Sequence, residues 1–518
     1  KPGAYVLMSG GQIGRSFGLS AEEVTLPKKK AERIAAMIPL RDAARRLVEM
    51  QATEADDRRL EVLRVEMGLA YEAFVKAFGP INLKVNVQTL RDDPDFPLLL
   101  SLEKWGEETG ITEKADLFYR RTARAVVLPD SADTVAEALT ICLVQTGRVV
   151  PSHIAKLVRQ PVDAVEAALR EGGLAFLDPA TGRWEAADLY LSGDVKTKLV
   201  EAMTAGKEFA ANAEALRGVL PEDIAPKDIA VSLGATWIPV SIIEQFAKEV
   251  LGSRSPKVSI KDAVKFWKVE GHFPANPKYA TNEKNAGDLL ALALNQKEPE
   301  IRRRDQNDRY VLDAEKTMAA CEAQSNIKEA FESWVMADEA RETLVAEAYN
   351  RLMNRHVARK IDAKGMVLPG FSNCFTLREH QVNAVWRIVT GQSNTLLAHC
   401  VGAGKTVVVA CAAMEMRRTG RARKPLIVVP NHMLEQFTAE FLRAYPGASV
   451  LAASKDDFDA EGRKTLAARM AAWDWDAIIM THSSFGKMQA SPKHVEAFIK
   501  AEILKLRSSM SVEDDKVT

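Results

Sequence analysis

No run of about 18 apolar residues occurs in this chain of 518, so no membrane-spanning helix is expected. The opening KPGAYVLMSGG has neither the apolar core of a secretory signal nor an initiator Met, which suggests a start inside a longer polypeptide. Cysteine is scarce and unpatterned: Cys142, Cys321, Cys374, Cys400 and Cys411 form no C-x-x-C pair. That argues against a disulfide framework and a zinc site, suits a reducing cytoplasm, and leaves buried apolar thiols as the expectation. The eight histidines show no H-E-x-x-H spacing, so no metal centre is expected from them. Charge of one sign is also lacking. Lys+Arg and Asp+Glu both number 70, which removes any global drive toward nucleic acid or membrane. The balance hides a split: residues 371–518 carry 19 basic against 15 acidic side chains (19 − 15 = +4), so residues 1–370 are −4.

What is present is ordinary globular composition, 47% apolar and 27% charged, over enough length for about three or four domains. Residues 1–124 read as mainly helical, with apolar positions at helical spacing between 29 and 79. Residues 125–195 read as a winged-helix-like unit. SADTVAEALTICLVQTG is a helix with Ser131 as its N-cap, VVPSHIAKLVRQ a second, and PVDAVEAALREGG a third between Pro161 and Gly172. LAFLDPATGRWEAADLYL then reads as a hairpin. The third helix has Asp163, Glu166 and Glu171 against Arg170, a poor match to a phosphate-lined groove, so protein contact is expected of it rather than DNA reading. Residues 196–312 read as mixed α/β, and 313–370 as a helical connector. In the connector Ile327, Phe331, Trp334, Val335, Leu344, Val345, Ala348, Tyr349 and Leu352 mark an apolar stripe. ANPKYA (275–280) is one residue from the N-P-P-Y of adenine methyltransferases but reads as a turn. The Gly-rich YVLMSGGQIGRSFG (5–18) is not G-x-G-x-x-G.

Residues 371–518 carry the chemistry. TLLAH, PLIVVP, ASVLAA and DAIIMTH are apolar strands alternating with helices, the pattern of a parallel sheet covered on both faces. Between the first strand and its helix lies HCVGAGKT. Gly402, Ala403 and Gly404 let backbone N–H groups face an anion, and the helix starting at Lys405 aims its positive end at the same point. Lys405 can reach β- and γ-phosphates, and the Thr406 hydroxyl can ligate Mg²⁺. The strict phosphate-loop pattern wants Gly where His399 stands. Gln381, 24 residues before Lys405, can pair with adenine. Downstream, Pro430 and Asn431 follow one strand, and Thr481, His482 and Ser483 follow another. Both strands would end on one sheet edge, where hydroxyl and backbone N–H groups can hold DNA phosphates.

LREHQ, HCVGAGKT, PLIVVPNHMLEQFTAEF and DAIIMTHSSF resemble the Q-motif and motifs I, Ia and Ib of superfamily 2 helicases, closest to the Swi/Snf and type III restriction groups. With AEAYNRLMN, LPGFS, SLGATWIPV and ADLYLSGDVKTKL, the chain is similar to the large plasmid- and phage-borne fusions of an adenine-specific DNA methyltransferase to a helicase. The resemblance implies an α/β RecA-like lobe behind the winged-helix region. It implies ATP and Mg²⁺ as ligands, DNA as partner, and a methyltransferase domain and second helicase lobe elsewhere in the same polypeptide. An acidic pair at a strand end, needed to orient water, is not found after Thr481. VLAASKDD (450–457) is the nearest imitation, and the chain ends SVEDDKVT. The expectation is an ATP-dependent helicase or translocase whose 518-residue stretch alone binds Mg·ATP and turns it over negligibly. Two rivals stand beside it: a non-catalytic scaffold with a nucleotide-sensing loop, and a specificity segment of a DNA adenine methyltransferase.

Overall fold

A computed structural model describes residues 3–16, 20–52, 56–105, 112–123, 126, 128–261, 266–304, 309–363, 365–391, 393–453, 462–488 and 491–514. Asp456 and Asp457 of the acidic imitation, and the terminal residues 515–518, lie outside these described residues. The chain divides into two compact units: Lys1–Tyr190 with Lys360–Gln489, and Leu191–Arg359 with Ala490–Thr518.

In the first unit the Gly-rich start is a small antiparallel sheet of Tyr5–Leu7, Ile13–Ser16 and Ala21–Glu23. It is tied to the long helix Lys28–Ala52 by a buried network. The Tyr5 N–H donates to Asp93 Oδ2 at 3.0 Å, and Arg41 donates to the same carboxylate at 2.6 Å. Asp93 is fully buried, and its carboxylate oxygens are taken up by these N–H and guanidinium donors, as burial of a polar group requires.

The winged-helix pattern is present as three helices, Val135–Thr146, Pro151–Val158 and Val162–Glu171, and a hairpin of Ala175–Asp178 with Arg183–Ala186. The expected cap is corrected. Ser131 lies outside the first helix, and Thr134 is the N-cap, its hydroxyl accepting the Glu137 N–H at 3.2 Å. The signal was legible as Thr-x-x-Glu, with Glu137 also accepting the Asp133 N–H. Thr134→Ala should therefore cost about 1 kcal/mol of stability. Ser131→Ala, whose hydroxyl meets only the exposed Asp130, should be silent in the same thermal melt. The third helix keeps its acidic face outward, with Arg170 turned back over the Trp184 ring and toward Glu166.

This unit is not a winged helix beside a separate lobe. Trp386, on the helix Glu379–Thr390, is buried in the same apolar cluster as Leu139, Cys142, Ile154 and Leu169. Arg418, at the end of the helix Lys405–Arg418, donates to the Val144 carbonyl, and Arg421 donates to Val389 and Gly391 carbonyls.

The sheet behind the loop 399–404 has three parallel strands in the order Leu426–Val429, Ala477–Thr481, Val450–Ala453. Alternation sends Ile427, Val429, Ala477 and Ile479 into one core with the helices Glu379–Thr390, Lys405–Arg418 and Leu434–Ala444. Ile478, Met480, Leu451 and Ala453 face a second core with Leu466 and Trp475. Both faces are covered, as apolar parallel strands require. The expected first strand is a correction: Thr395–His399 carries no ladder, and Leu396 is 89% exposed. An extended apolar segment becomes a strand only when a neighbour takes its hydrogen bonds, and no described residue pairs with this one.

The second unit packs helices Val240–Glu249, Ala286–Leu294, Ala314–Met336 and Glu339–Leu352 around Phe246, Leu289, Ile327 and Phe331. The expected stripe is buried at Ile327, Phe331, Val335, Val345 and Ala348, but Leu344 and Leu352 are exposed. Two helices meeting at 337–338, rather than one continuous helix, change which residues face inward. ANPKYA is a turn closed by Asn276, whose side chain accepts the Lys278 N–H at 3.0 Å. No helix among the described residues is long and apolar enough to cross a membrane.

Candidate functional site

The loop 399–404 turns on two glycines with positive φ, Gly402 at 81° and Gly404 at 77°. Only glycine adopts that region without strain. Gly404 has a second reason: a Cβ there would lie 2.2 Å from Gln381 Nε2. Gly404 is the N-cap of the 14-residue helix Lys405–Arg418, so the first-turn N–H groups of that helix have no intrahelical acceptor and point into the loop.

Gln381 sits where the chain enters this loop's neighbourhood, in the first turn of Glu379–Thr390. Its carbonyl oxygen accepts the Arg378 N–H at 2.8 Å, and its amide donates to the Ala403 carbonyl at 3.0 Å. His380 Nε2 donates to that same carbonyl at 3.1 Å, and its ring meets His399 edge-on at 5.3 Å. Two adjacent side chains thus hold one loop carbonyl. His380 is a member of this site that no motif in the sequence marks, its signal being its position beside Gln381; His399, noted in the sequence only as a departure from the Gly pattern, is its partner in the loop. Lys405 folds back onto the loop, donating to the carbonyls of His399 at 3.0 Å and Cys400 at 2.9 Å. An ammonium held by neutral carbonyls in a part-exposed loop can exchange them for an anion at little cost. Thr406 is half-buried in the next position of the helix.

The cysteines divide by position. Cys142 and Cys411 are buried, and burial pushes the Cys411 thiol up to about 12. Cys400, in the loop, is exposed, and Cys321 and Cys374 are half-buried, which corrects the expectation of uniformly buried thiols.

The two downstream segments come together. Val429 pairs with Thr481 across parallel strands, so Pro430–Asn431 and His482–Ser483 leave the sheet on one edge. Thr481 Oγ1 accepts the Ser484 N–H at 3.2 Å and caps the short helix His482–Phe485. Ser483 Oγ donates to Asn431 Oδ1 at 2.8 Å, a bond across 52 residues of sequence that joins the two loops. Pro430, Asn431, His482 and Ser483 are exposed, and Thr481 is buried.

Three protein-family models match the chain. Residues 386–517 match a probable helicase domain. Residues 131–185 match a winged-helix domain of a probable helicase, and residues 232–355 match a domain of unknown function. The chain carries a helicase segment. No curated protein and no solved structure matches it. The helicase match includes Lys405, Thr406, Pro430, Asn431 and Thr481–Ser483, and a helicase-like role follows for this segment.

Proposed function

We propose that this chain is the ATP-binding part of a DNA helicase or translocase of the superfamily 2 kind, belonging to a larger protein that also carries an adenine-specific DNA methyltransferase. ATP is the substrate, with its phosphates in the turn of Gly402, Ala403 and Gly404 and against Lys405. The observation that carries the reading is the bond from Gln381 to Ala403, because it links an adenine-reading amide to a phosphate-cradling loop. The donor set fits a triphosphate: helix-start N–H groups, one ammonium held by neutral loop carbonyls, and open space at Gly402, where a Cβ would meet nothing within 4 Å. Bound Mg²⁺ would neutralise phosphate charge, with the Thr406 hydroxyl as its ligand from this chain. DNA would run along the sheet edge at Pro430, Asn431, His482 and Ser483, with the bonded pair Asn431–Ser483 keeping the two loops in step; Thr481, expected from the sequence among these contacts, is buried and caps the short helix instead.

The adenine contact is tested by Gln381→Ala. The amide already spends one oxygen lone pair and one N–H inside the protein, which leaves one of each for adenine. ATP affinity should fall by about 1–2 kcal/mol more than the affinity for inorganic tripolyphosphate. Displacement titrations with both ligands measure this. An equal loss for both would leave Gln381 as a loop latch alone and remove adenine from its role.

A further inference from the structure

The second unit carries a two-stranded antiparallel ribbon, Arg302–Arg304 against Tyr310–Leu312, with Arg302 opposite Leu312 and Arg304 opposite Tyr310. Its root is fixed. Ile301 is buried in the core, its N–H donates to Thr317 Oγ1 at 3.0 Å, and its carbonyl accepts the Asp313 N–H at 2.8 Å. Beyond that root the ribbon stands in solvent. All three arginines are exposed, Tyr310 is 65% exposed and Leu312 54%. A strand that buries neither face adds little hydrophobic stabilisation, and an isolated two-stranded hairpin is marginal in water. Fold stability therefore does not account for three consecutive arginines at this place.

Strand alternation puts Arg302, Arg304, Tyr310 and Leu312 on one face and Arg303 on the other. The Arg304 guanidinium lies over the Tyr310 ring at 5.2 Å. Arg302 donates to Glu300 at 2.9 Å, and Arg303 stands 3.9 Å from Asp313. Both arginines are well exposed, so neither pair is worth much, and each guanidinium can trade its carboxylate for a phosphate. Between 302 and 312 the sequence has four arginines, Arg309 included, against Asp305 and Asp308. The hairpin of Lys257–Lys261 with Phe266–Glu270 repeats the combination of lysines with an exposed aromatic: Phe266 is 44% exposed, with Lys297 over its ring at 5.7 Å. Lys297 lies five residues before Arg302, at most about 18 Å of chain. Residues 251–312 hold 12 basic and 8 acidic side chains (12 − 8 = +4), although residues 1–370 as a whole are −4. The positive charge lies on the two hairpin stretches, residues 257–270 (4 − 2 = +2) and 302–312 (4 − 2 = +2), whereas the connection 271–301 is net acidic (3 − 4 = −1).

We propose that the arginine ribbon, with the lysine hairpin near it in sequence, is a contact surface for the phosphodiester backbone of duplex DNA. Charge complementarity selects a polyanion. The projecting two-stranded shape selects the duplex, whose major groove of about 12 Å admits a β-ribbon. Arginine rather than lysine on the ribbon suits bidentate phosphate contact. The proposal rests on the DNA half of the reading above and is independent of the ATP half.

The test is duplex binding by the full-length protein without nucleotide, followed by fluorescence anisotropy between 50 and 200 mM salt. R302Q/R303Q/R304Q removes three backbone cations, so the slope of log Kobs against log salt should flatten by about 2.7. The wild-type advantage over that variant should shrink by roughly 40-fold across the range. R302K/R303K/R304K should keep the wild-type slope. An unchanged slope in the glutamine variant overturns the proposal. So does equal flattening in the lysine variant, which would mean that the arginines act through the fold. Flattening as large on a single-stranded oligonucleotide overturns the choice of duplex. Basal ATP hydrolysis should stay at the wild-type rate in both ribbon variants, and Lys405→Ala should keep the wild-type salt slope, so failure of the ATP reading and failure of this one are separable.

Discussion

Lys405→Ala should abolish ATP hydrolysis by the full-length protein, lowering kcat by at least ~10²–10³-fold, while thermal unfolding shifts little. Under the proposed reading, the loss follows from removing a cation that would meet the charge developing on the transferring phosphate, an effect of ~3–4 kcal/mol for one preorganised group. The small stability effect follows from the geometry. The Lys405 ammonium donates only to carbonyls of its own part-exposed loop, His399 and Cys400, which water can serve equally well once the side chain is gone. A steady-state ATPase assay beside a melting curve checks both halves. An unchanged kcat would remove Lys405 from the reaction, and a collapse of the fold would make the loop a structural clasp.

The candidate site was legible in the sequence to the extent that its parts are local. Gly402, Gly404 and Lys405 lie within four residues, and a turn followed by a helix is dictated by those residue types alone. The meeting of Asn431 with Ser483 was legible only through topology: parallel strands alternating with helices must end on one edge, and the bond between the two side chains is a consequence of register that no spacing rule gives. The shared use of the Ala403 carbonyl by His380 and Gln381 was not legible. It depends on a helix start and a loop 22–23 residues apart coming to 3.0 and 3.1 Å, which sequence periodicity does not encode.

The fold divides in the same way. Helices with strong apolar periodicity, and hairpins bounded by Pro and Gly, appear near their expected places. Thr395–His399 does not form a strand although its composition resembles the others, because pairing is a property of the neighbour and not of the segment. The arginine ribbon escaped notice for a related reason. Three arginines in a mixed-charge stretch read as an ordinary solvated surface, and only the structure shows them on a rooted arm with both faces open. Likewise Trp386 reads as one more apolar position of an amphipathic helix, and nothing in its spacing says that its partners lie some 220–250 residues earlier.

Trp386→Ala should therefore have the largest effect on stability, about 3–5 kcal/mol, the range for removing a large buried side chain and leaving a cavity. Trp386 is 7% exposed and shares its cluster with Leu139, Ile154 and Leu169 of the winged helix, while its own helix also packs on the helix that opens at Lys405. The cavity should loosen both sides at once. Hydrogen exchange resolves this: amides of Val135–Thr146 and of Glu379–Thr390 should lose protection together, and nucleotide affinity should fall because Gln381, on that helix, holds the loop through the Ala403 carbonyl. The more distant Arg41–Asp93 network should keep its protection at the new, lower global limit. Loss confined to Glu379–Thr390, with the winged helix still fully protected, would show that the two elements unfold independently. The winged helix would then be an appendage rather than a wall of the part that carries the loop 399–404.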